Sequence, residues 1–497
     1  MTNYLKKAIL GVIWIFLLSL CGLFFLYLFR LVLARNLTPE EYGLFYSVLS
    51  LVITLHLFKD PGLKYALIKY VSEFFPHKKF QQINRIFSLT ILTWTGTSFI
   101  FSAILILLAP WLTQTYFKQE SAYFLIIFFS IAYFWTGDYI IAYIFQGIQK
   151  MALFAAVDAS RSFLYLIITF STFHFYSHSL IFPAIAYAVT PIILTIIYLP
   201  FLKKQLPQLK LTLKVPFQFV KKMTTFGIPL SITNISYTFL QQISILILTY
   251  FGSLKDVGLL NVALPTAALL VTLSSSLLYV VFPMSSELTS RGHINQLKKG
   301  LFLLYKYSFM ILLPASLLLF AFSDLAILTL FGEKYIEATT ALMILTFGSL
   351  FWVLANINFT VLAGIGKSRE PLNAMIFMMI ITVILNFVFV PFFALTGAVI
   401  AILTGYILAF ILSLFMLKRH IPLTIPYWLW IKNLFAGILF LFAVVIAKKT
   451  FVLTSFHFEA AVILFVTGII YILLIFLFRI VTIKELKSIL TRFLIKK

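Results

Sequence analysis

The segment from Ile86 to Leu108 reads IFSLTILTWTGTSFIFSAILILL, 23 residues without one charged side chain. An α-helix rises about 1.5 Å per residue, so about 20 apolar residues match the ~30 Å hydrocarbon core of a bilayer. Laid along the rest of the chain, the same ruler predicts spans at 9–33, 43–58, 86–108, 122–145, 152–173, 180–202 and 225–250. It predicts seven more at 258–282, 301–322, 338–362, 372–393, 397–417, 431–447 and 460–478. The expected fold class is an all-α integral membrane protein with about fourteen transmembrane helices.

Composition supports this for the whole length. Of 497 residues, 62% are hydrophobic and only 11% charged, with 56 phenylalanines and a mean hydropathy of +1.06. A soluble domain needs about 25% charged residues to cover its surface, so water is not the solvent for most of this chain. The net charge of +23 would suggest nucleic acid in a soluble protein, but here the basic residues sit in short loops between apolar runs. On alternate sides, thirty of the 38 Lys and Arg fall with the N-terminus, which places both termini in the cytoplasm and the protein in the cell membrane. The one cysteine, Cys21, lies inside the first apolar run and supports neither a disulfide nor a metal site. Leu20 stands where a lipoprotein cleavage box needs a small residue, so the first helix is expected to remain uncleaved.

An internal repeat sets the expected organisation. Lys6-Lys7 matches Lys221-Lys222, and Tyr42-Gly43-Leu44 matches Val257-Gly258-Leu259, both at an offset of 215. Ser72-Glu73 returns as Ser286-Glu287, and Gly147-Ile148-Gln149-Lys150 as Gly364-Ile365-Gly366-Lys367, at 214 and 217. Six spans per copy is an even number, so two parallel six-helix halves are expected, over 1–210 and 211–422. A basic, proline-marked linker, Lys203 to Lys222, would join them, and residues 423–497 would add two helices and a basic cytoplasmic tail.

Ionisable residues inside a span cost several kcal/mol if they face lipid, so each implies a partner, a cavity or a proton path. Asp138 and Arg161 lie twelve and eleven residues either side of Lys150, hence about 16–18 Å from the same turn and near the midplane. Asp158 is at i−3 from Arg161 on the same face. The triad either ties two helices together or forms an ion-coupling switch, two carboxylates competing for one guanidinium. Arg30, near the outer interface, either snorkels or contacts a pyrophosphate or acidic sugar. Arg35 beyond it, and Lys59 and Lys64 flanking the turn after span two, are further cationic candidates for the substrate cavity. Positive-inside placement is the competing explanation for the two lysines. Span seven carries Ser231, Asn234, Thr238, Gln241 and Gln242 within a sector of about 100°, a stripe suited to sugars or to helix–helix hydrogen bonds.

Leu33-Ala34-Arg35-Asn36-Leu37-Thr38-Pro39-Glu40-Glu41-Tyr42-Gly43-Leu44-Phe45 resembles the polysaccharide exporters of the O-antigen flippase type. Asp60-Pro61-Gly62-Leu63, Leu330-Phe331-Gly332-Glu333-Lys334-Tyr335 and Leu395-Thr396-Gly397-Ala398-Val399-Ile400-Ala401 are similar to that family as well. The resemblance implies the MATE/MOP superfamily, with two bundles about a V-shaped cavity that opens alternately to either side. It also implies a flippase for a lipid-linked oligosaccharide, a polyprenyl-phosphate or pyrophosphate sugar, with membrane lipids and other polysaccharide-assembly proteins as expected partners. Multidrug antiporters of the superfamily often carry an acid in span one, which this chain lacks, so drug or cation antiport is the alternative.

No P-loop occurs, and His174 and His178 lack carboxylate or thiol companions for a metal. Glu40-Glu41 suits a helix N-terminus better than the acidic pair of a membrane glycosyltransferase or polymerase, for which no loop is long enough. No enzyme activity, cofactor, metal or nucleic-acid partner is expected. Coupling to a proton or sodium gradient is the expected energy source.

Overall fold

The computed structural model describes residues 2–60, 62–212, 215–450, 456–481 and 485. Side chains are described for these except 2–13, 56, 229–230, 233–234, 236–237, 273–277, 279–280, 283, 449–450, 456–462 and 464. Backbone in hydrocarbon must satisfy its own hydrogen bonds, and the described residues do so as helix throughout, with no strand. In chain order the helices are α1 (Thr2–Asn36), α2 (Pro39–His56), α3 (Leu63–Phe74), α4 (Phe80–Trp111), α5 (Ser121–Phe134) and α6 (Gly137–Gly147). There follow α7 (Met151–Phe175), α8 (Ile181–Gln205), α9 (Phe217–Phe251), α10 (Leu254–Ser290) and α11 (Ile294–Ala321). The last are α12 (Ser323–Leu330), α13 (Ala338–Gly364), α14 (Arg369–His420), α15 (Tyr427–Thr450) and α16 (Phe456–Leu477). Among the described residues ten helical segments are long and apolar enough to cross a bilayer, and two shorter apolar stretches cover Thr238–Phe251 and Phe465–Leu477. The protein is an all-α, multi-pass membrane protein.

Three places depart from uniform rods. The second expected span does not end at 58: α2 stops at His56, the chain unwinds, and α3 resumes at Leu63. The expected span at 122–145 is broken into α5 and α6 at Trp135 and Thr136. Trp135 closes this break by donating its indole N–H to Thr195 Oγ1 at 2.8 Å. Within α14 the backbone leaves helical geometry at Ala394 (φ 44°, ψ −120°), between the two spans expected there.

The chain forms two compact units. The first holds Met1–Asn261 with Val383–Ala398, and the second Val262–Thr382 with Val399–Lys497. In the first, Glu40-Glu41 stand in the first turn of α2 as expected, and a capping box closes it: Thr38 accepts the Glu41 N–H at 3.2 Å while Glu41 accepts the Thr38 N–H at 2.9 Å. Part of the expected linker is pinned rather than solvated. The Lys210 N–H donates to Asn84 Oδ1 at 3.1 Å, and the Thr212 N–H to Ser88 Oγ at 2.8 Å. The second unit is tied by uncharged hydrogen bonds across five of its helices. The Tyr305 hydroxyl donates to Asn358, Asn358 to Ser413 at 2.9 Å, and Tyr471 to Asn433 at 2.7 Å.

At one crossing in the first unit only glycine fits. A Cβ on Gly43 would strike the Leu254 carbonyl, and one on Gly258 would strike the Pro39 carbonyl, so backbone rather than a side chain would have to move. Gly43→Ala is therefore expected to cost about 1–3 kcal/mol, the usual penalty for overpacking. Gly96→Ala, where a Cβ meets nothing within 4 Å, should leave stability unchanged. Thermal unfolding of the two purified variants in detergent checks this. Equal midpoints would contradict the packing.

Candidate functional site

The break after α2 and the break between α5 and α6 open onto the same place. After α2 the chain needs a residue with positive φ, and Gly62 (φ 93°) supplies it. A side chain there would also collide with the backbone of Gly227 on α9. Asp60 then acts as the cap of α3. Its carboxylate accepts the Leu63 N–H at 2.6 Å, the Lys64 N–H at 3.3 Å and the Trp94 indole N–H at 3.2 Å. The unwound turn turns Lys59 inward. It is 3% exposed and donates to the Tyr133 carbonyl at 3.1 Å, at the end of α5 where the other break begins.

Asp138 enters from the second break, in the first turn of α6, where the helix dipole favours a carboxylate. It is fully buried. Arg161 on α7 donates to its Oδ2 from Nε at 3.0 Å and from Nη2 at 2.7 Å, and from Nη1 to Asp158 at 2.5 Å. Asp138 Oδ1 has no hydrogen-bond partner among the described residues. Lys59 lies within electrostatic reach of both Asp138 and Asp60, and Lys64 of Asp60 and Asp158. Six charges thus alternate in sign through the centre of the unit and sum to zero. Removing either member of such a buried pair strands the other, which is why the arrangement persists as a set.

Aromatic rings line the cations. Arg161 lies 4.0 Å from the Tyr139 ring centre, Lys59 lies 5.0 Å from Tyr133 and 5.7 Å from Trp94, and Lys64 lies 4.9 Å from Tyr143. A ring face attracts a cation most where water is scarce. Two cavities flank the charges. One of about 380 Å³ is lined by Lys59, Asp60, Lys64, Trp94, Tyr143 and Ser231, with Thr238 beside them. The other, of about 370 Å³, is lined by Asp158, Arg161, Tyr165, Tyr187, Phe129 and Val52 among others. Both fall in the size range of small-ligand sites, ~300–1,000 Å³.

The residues anticipated from sequence divide accordingly. Asp138, Asp158 and Arg161 form one cluster, and Lys59 and Lys64 share one cavity with the Ser231 and Thr238 end of the α9 stripe. Lys59 lies in the turn after α2 and Lys64 in the first turn of α3. Arg30 stands apart from both cavities. Its guanidinium is 4.5 Å from the Tyr46 ring centre, and Nη1 is 3.5 Å from the Asn261 carbonyl. Arg35 is exposed in the last turn of α1, and Gln241 and Gln242 are half-buried outside both cavity linings. Asn234 is on α9, and its side chain lies outside those described. Sequence reasoning missed Asp60, Trp94, Tyr139 and Tyr143. The signal that locates Asp60 is the Asp-x-Gly step inside an apolar stretch, which marks a helix stop followed by a new N-cap. The aromatic residues carry none, since 18% of the chain is aromatic.

Comparison with known proteins points the same way. A family model described as polysaccharide biosynthesis protein matches residues 9–289, and a second, MatE, matches 229–388. An uncharacterized membrane protein of Methanocaldococcus jannaschii is 26% identical over 99% of both chains. Among solved structures, the lipid II flippase MurJ in an inward closed conformation aligns with a TM-score of 0.76 at 16% identity, over 98% of this chain and 100% of that one. An inward-facing multidrug resistance MATE family transporter of the MOP superfamily aligns at 0.62, also 16% identical, over 80% and 94%. At these identities the likeness is one of fold.

Arg161→Met leaves Asp138 buried without its partner and should cost about 3–5 kcal/mol. Adding Asp138→Asn to it should recover part of that loss, because the stranded charge is gone. Unfolding of the single and double variants measures the difference. A double variant no more stable than Arg161→Met would contradict the pairing.

Proposed function

The chain belongs to the polysaccharide biosynthesis protein family, within the MOP superfamily of membrane transporters, and from that premise we propose that it is a flippase for a lipid-linked oligosaccharide. The substrate head would be a polyprenyl-phosphate or pyrophosphate sugar, moved from the cytoplasmic to the outer leaflet while its lipid tail stays in the bilayer. The observation that carries this reading is the 380 Å³ cavity, where Lys59 and Lys64 stand beside rings and hydroxyls. Ammonium groups pair with phosphate oxygens, and flat aromatic faces with neighbouring hydroxyls suit sugar rings. Asp60 does not repel such a ligand strongly, because its carboxylate is engaged by α3 and Trp94.

The Asp138, Arg161 and Asp158 cluster supplies the coupling in this reading. A proton or sodium ion on a carboxylate releases the guanidinium to the other acid, and a cluster with two arrangements can be tied to two orientations of the protein. The bias of Lys and Arg toward one face supports cytoplasmic termini. No bond is made or broken in the substrate.

Reconstitution tests this directly. In proteoliposomes loaded with a fluorescent polyprenyl-pyrophosphate disaccharide, the wild type is expected to expose the sugar to an added oxidant or lectin on the opposite face. Lys59→Gln with Lys64→Gln should lower the rate at least tenfold without reducing the amount of folded protein. Movement of small cationic dyes, with no movement of the glycolipid, would instead assign the protein to drug antiport.

A further inference from the structure

The two cavities of the first unit share only two lining residues, Ile53 on α2 and Tyr139 on α6. Tyr139 follows Asp138 directly, so its backbone sits at the mouth of the break between α5 and α6. Its ring lies against the Arg161 guanidinium, 4.0 Å from ring centre to Cζ. That guanidinium is itself shared between the fully buried Asp138, in the first turn of α6, and Asp158, which lines the second cavity. The ring is therefore clamped by a cation whose position the two carboxylates set. Val52, one residue before Ile53 on α2, is buried and lines the second cavity alone.

We propose that the Tyr139 ring, backed by Ile53, is a movable partition between the two cavities, and that the charge on Asp138 decides whether it is shut. With Asp138 ionised, Arg161 is held toward α6 and the ring stays between the cavities. Once Asp138 is neutralised by a proton or cation, Asp158 retains the guanidinium alone, the clamp on the ring loosens, and the cavities join along α2. The groups that face this switch are Lys59 from the unwound turn, Tyr133 from α5, Arg161, Asp158 and Tyr165 from α7, and Tyr187 from α8. Lys59 lies near Asp138 from the first cavity's side, so an anionic head group drawn to that lysine weakens its hold on the carboxylate and favours neutralisation. Tyr139 is in this sense a positioning residue. Head-group entry and opening become one event, and the partition keeps a small ligand from slipping through without it. The proposal deepens the flippase reading and depends on it only for the identity of the ligand.

A thiol-accessibility measurement tests the partition without any substrate. In a C21S background, Val52→Cys reports on the second cavity and Leu57→Cys, which lines only the first, on arrival of the reagent. The probe is the anionic, membrane-impermeant reagent sulfonatoethyl methanethiosulfonate. Val52→Cys is expected to react slowly in the parent and at least tenfold faster with D138N or Y139A, while Y139F keeps the slow rate. Leu57→Cys should react at one rate in all of them. Y139L serves where Y139A does not accumulate. A Val52→Cys rate within twofold of the parent in D138N and in the alanine or leucine variant overturns the partition, as does a Y139F that opens fully. Labelling as expected with no glycolipid movement by the wild type would remove the substrate and keep the partition.

Discussion

An arginine in hydrocarbon has to be held by something. Arg161 is 9% exposed at the centre of the first unit, and the cost of a lone charge there is several kcal/mol at the least. Each local feature of the site follows from meeting that cost. Asp138 can face the guanidinium twice because α5 stops at Phe134 and a new helix begins at Gly137, putting the carboxylate in a first turn. Asp138 in turn sits near Lys59, which can lie inward because α2 stops at His56. Two broken helices are the geometric consequence of one buried ion pair. A continuous helix offers its charges only to the side, whereas a helix end offers dipole, cap and side chain to one point.

The two units meet the bilayer differently. Among the described residues four charged side chains are buried, and three of them, Lys59, Asp138 and Arg161, are in the first unit. The fourth, Lys306, is paired with Glu485 at 2.9 Å. The second unit also carries amide, hydroxyl and indole hydrogen bonds such as Asn358 to Ser413 and Asn433 to the Phe309 carbonyl, beside the more exposed pairs His420 with Glu370 and Lys448 with Asp324. Those uncharged bonds tie helices together without leaving a charge to be rearranged.

Hydropathy and loop charge made the membrane class legible, because the bilayer imposes a length that any apolar run must meet. The Asp138 and Arg161 pairing was legible too, since two residues equally far from one turn on successive helices must come level. Lys59 and Lys64 were legible as flanking the turn after the second span, but hydropathy alone does not show that a helix follows that turn. The apolar residues of α3, Leu67 and Val71 among the buried ones, are the signal for that helix. Tyr139 and Trp94 were not legible at all. Their roles come from the ring being at a helix break or over a cation, and nothing about a tyrosine among 24 tells where its neighbours in space will be.

Charge balance supplies the last constraint. In formal charge Lys59, Lys64 and Arg161 balance Asp60, Asp138 and Asp158. An anionic head group entering the first cavity makes the sum negative, and a negative site in a medium of low dielectric draws a proton or cation. Asp138 is the acceptor best placed for it, being buried with one oxygen unbonded and flanked by the two cations whose attention the ligand divides. Under the proposed function, coupling needs no separate ion site: the substrate's own charge lifts the proton affinity of an acid it never touches. The same arithmetic explains why the site would not serve a cationic drug well, since a positive ligand would stabilise the ionised form of Asp138 and leave Arg161 where it is.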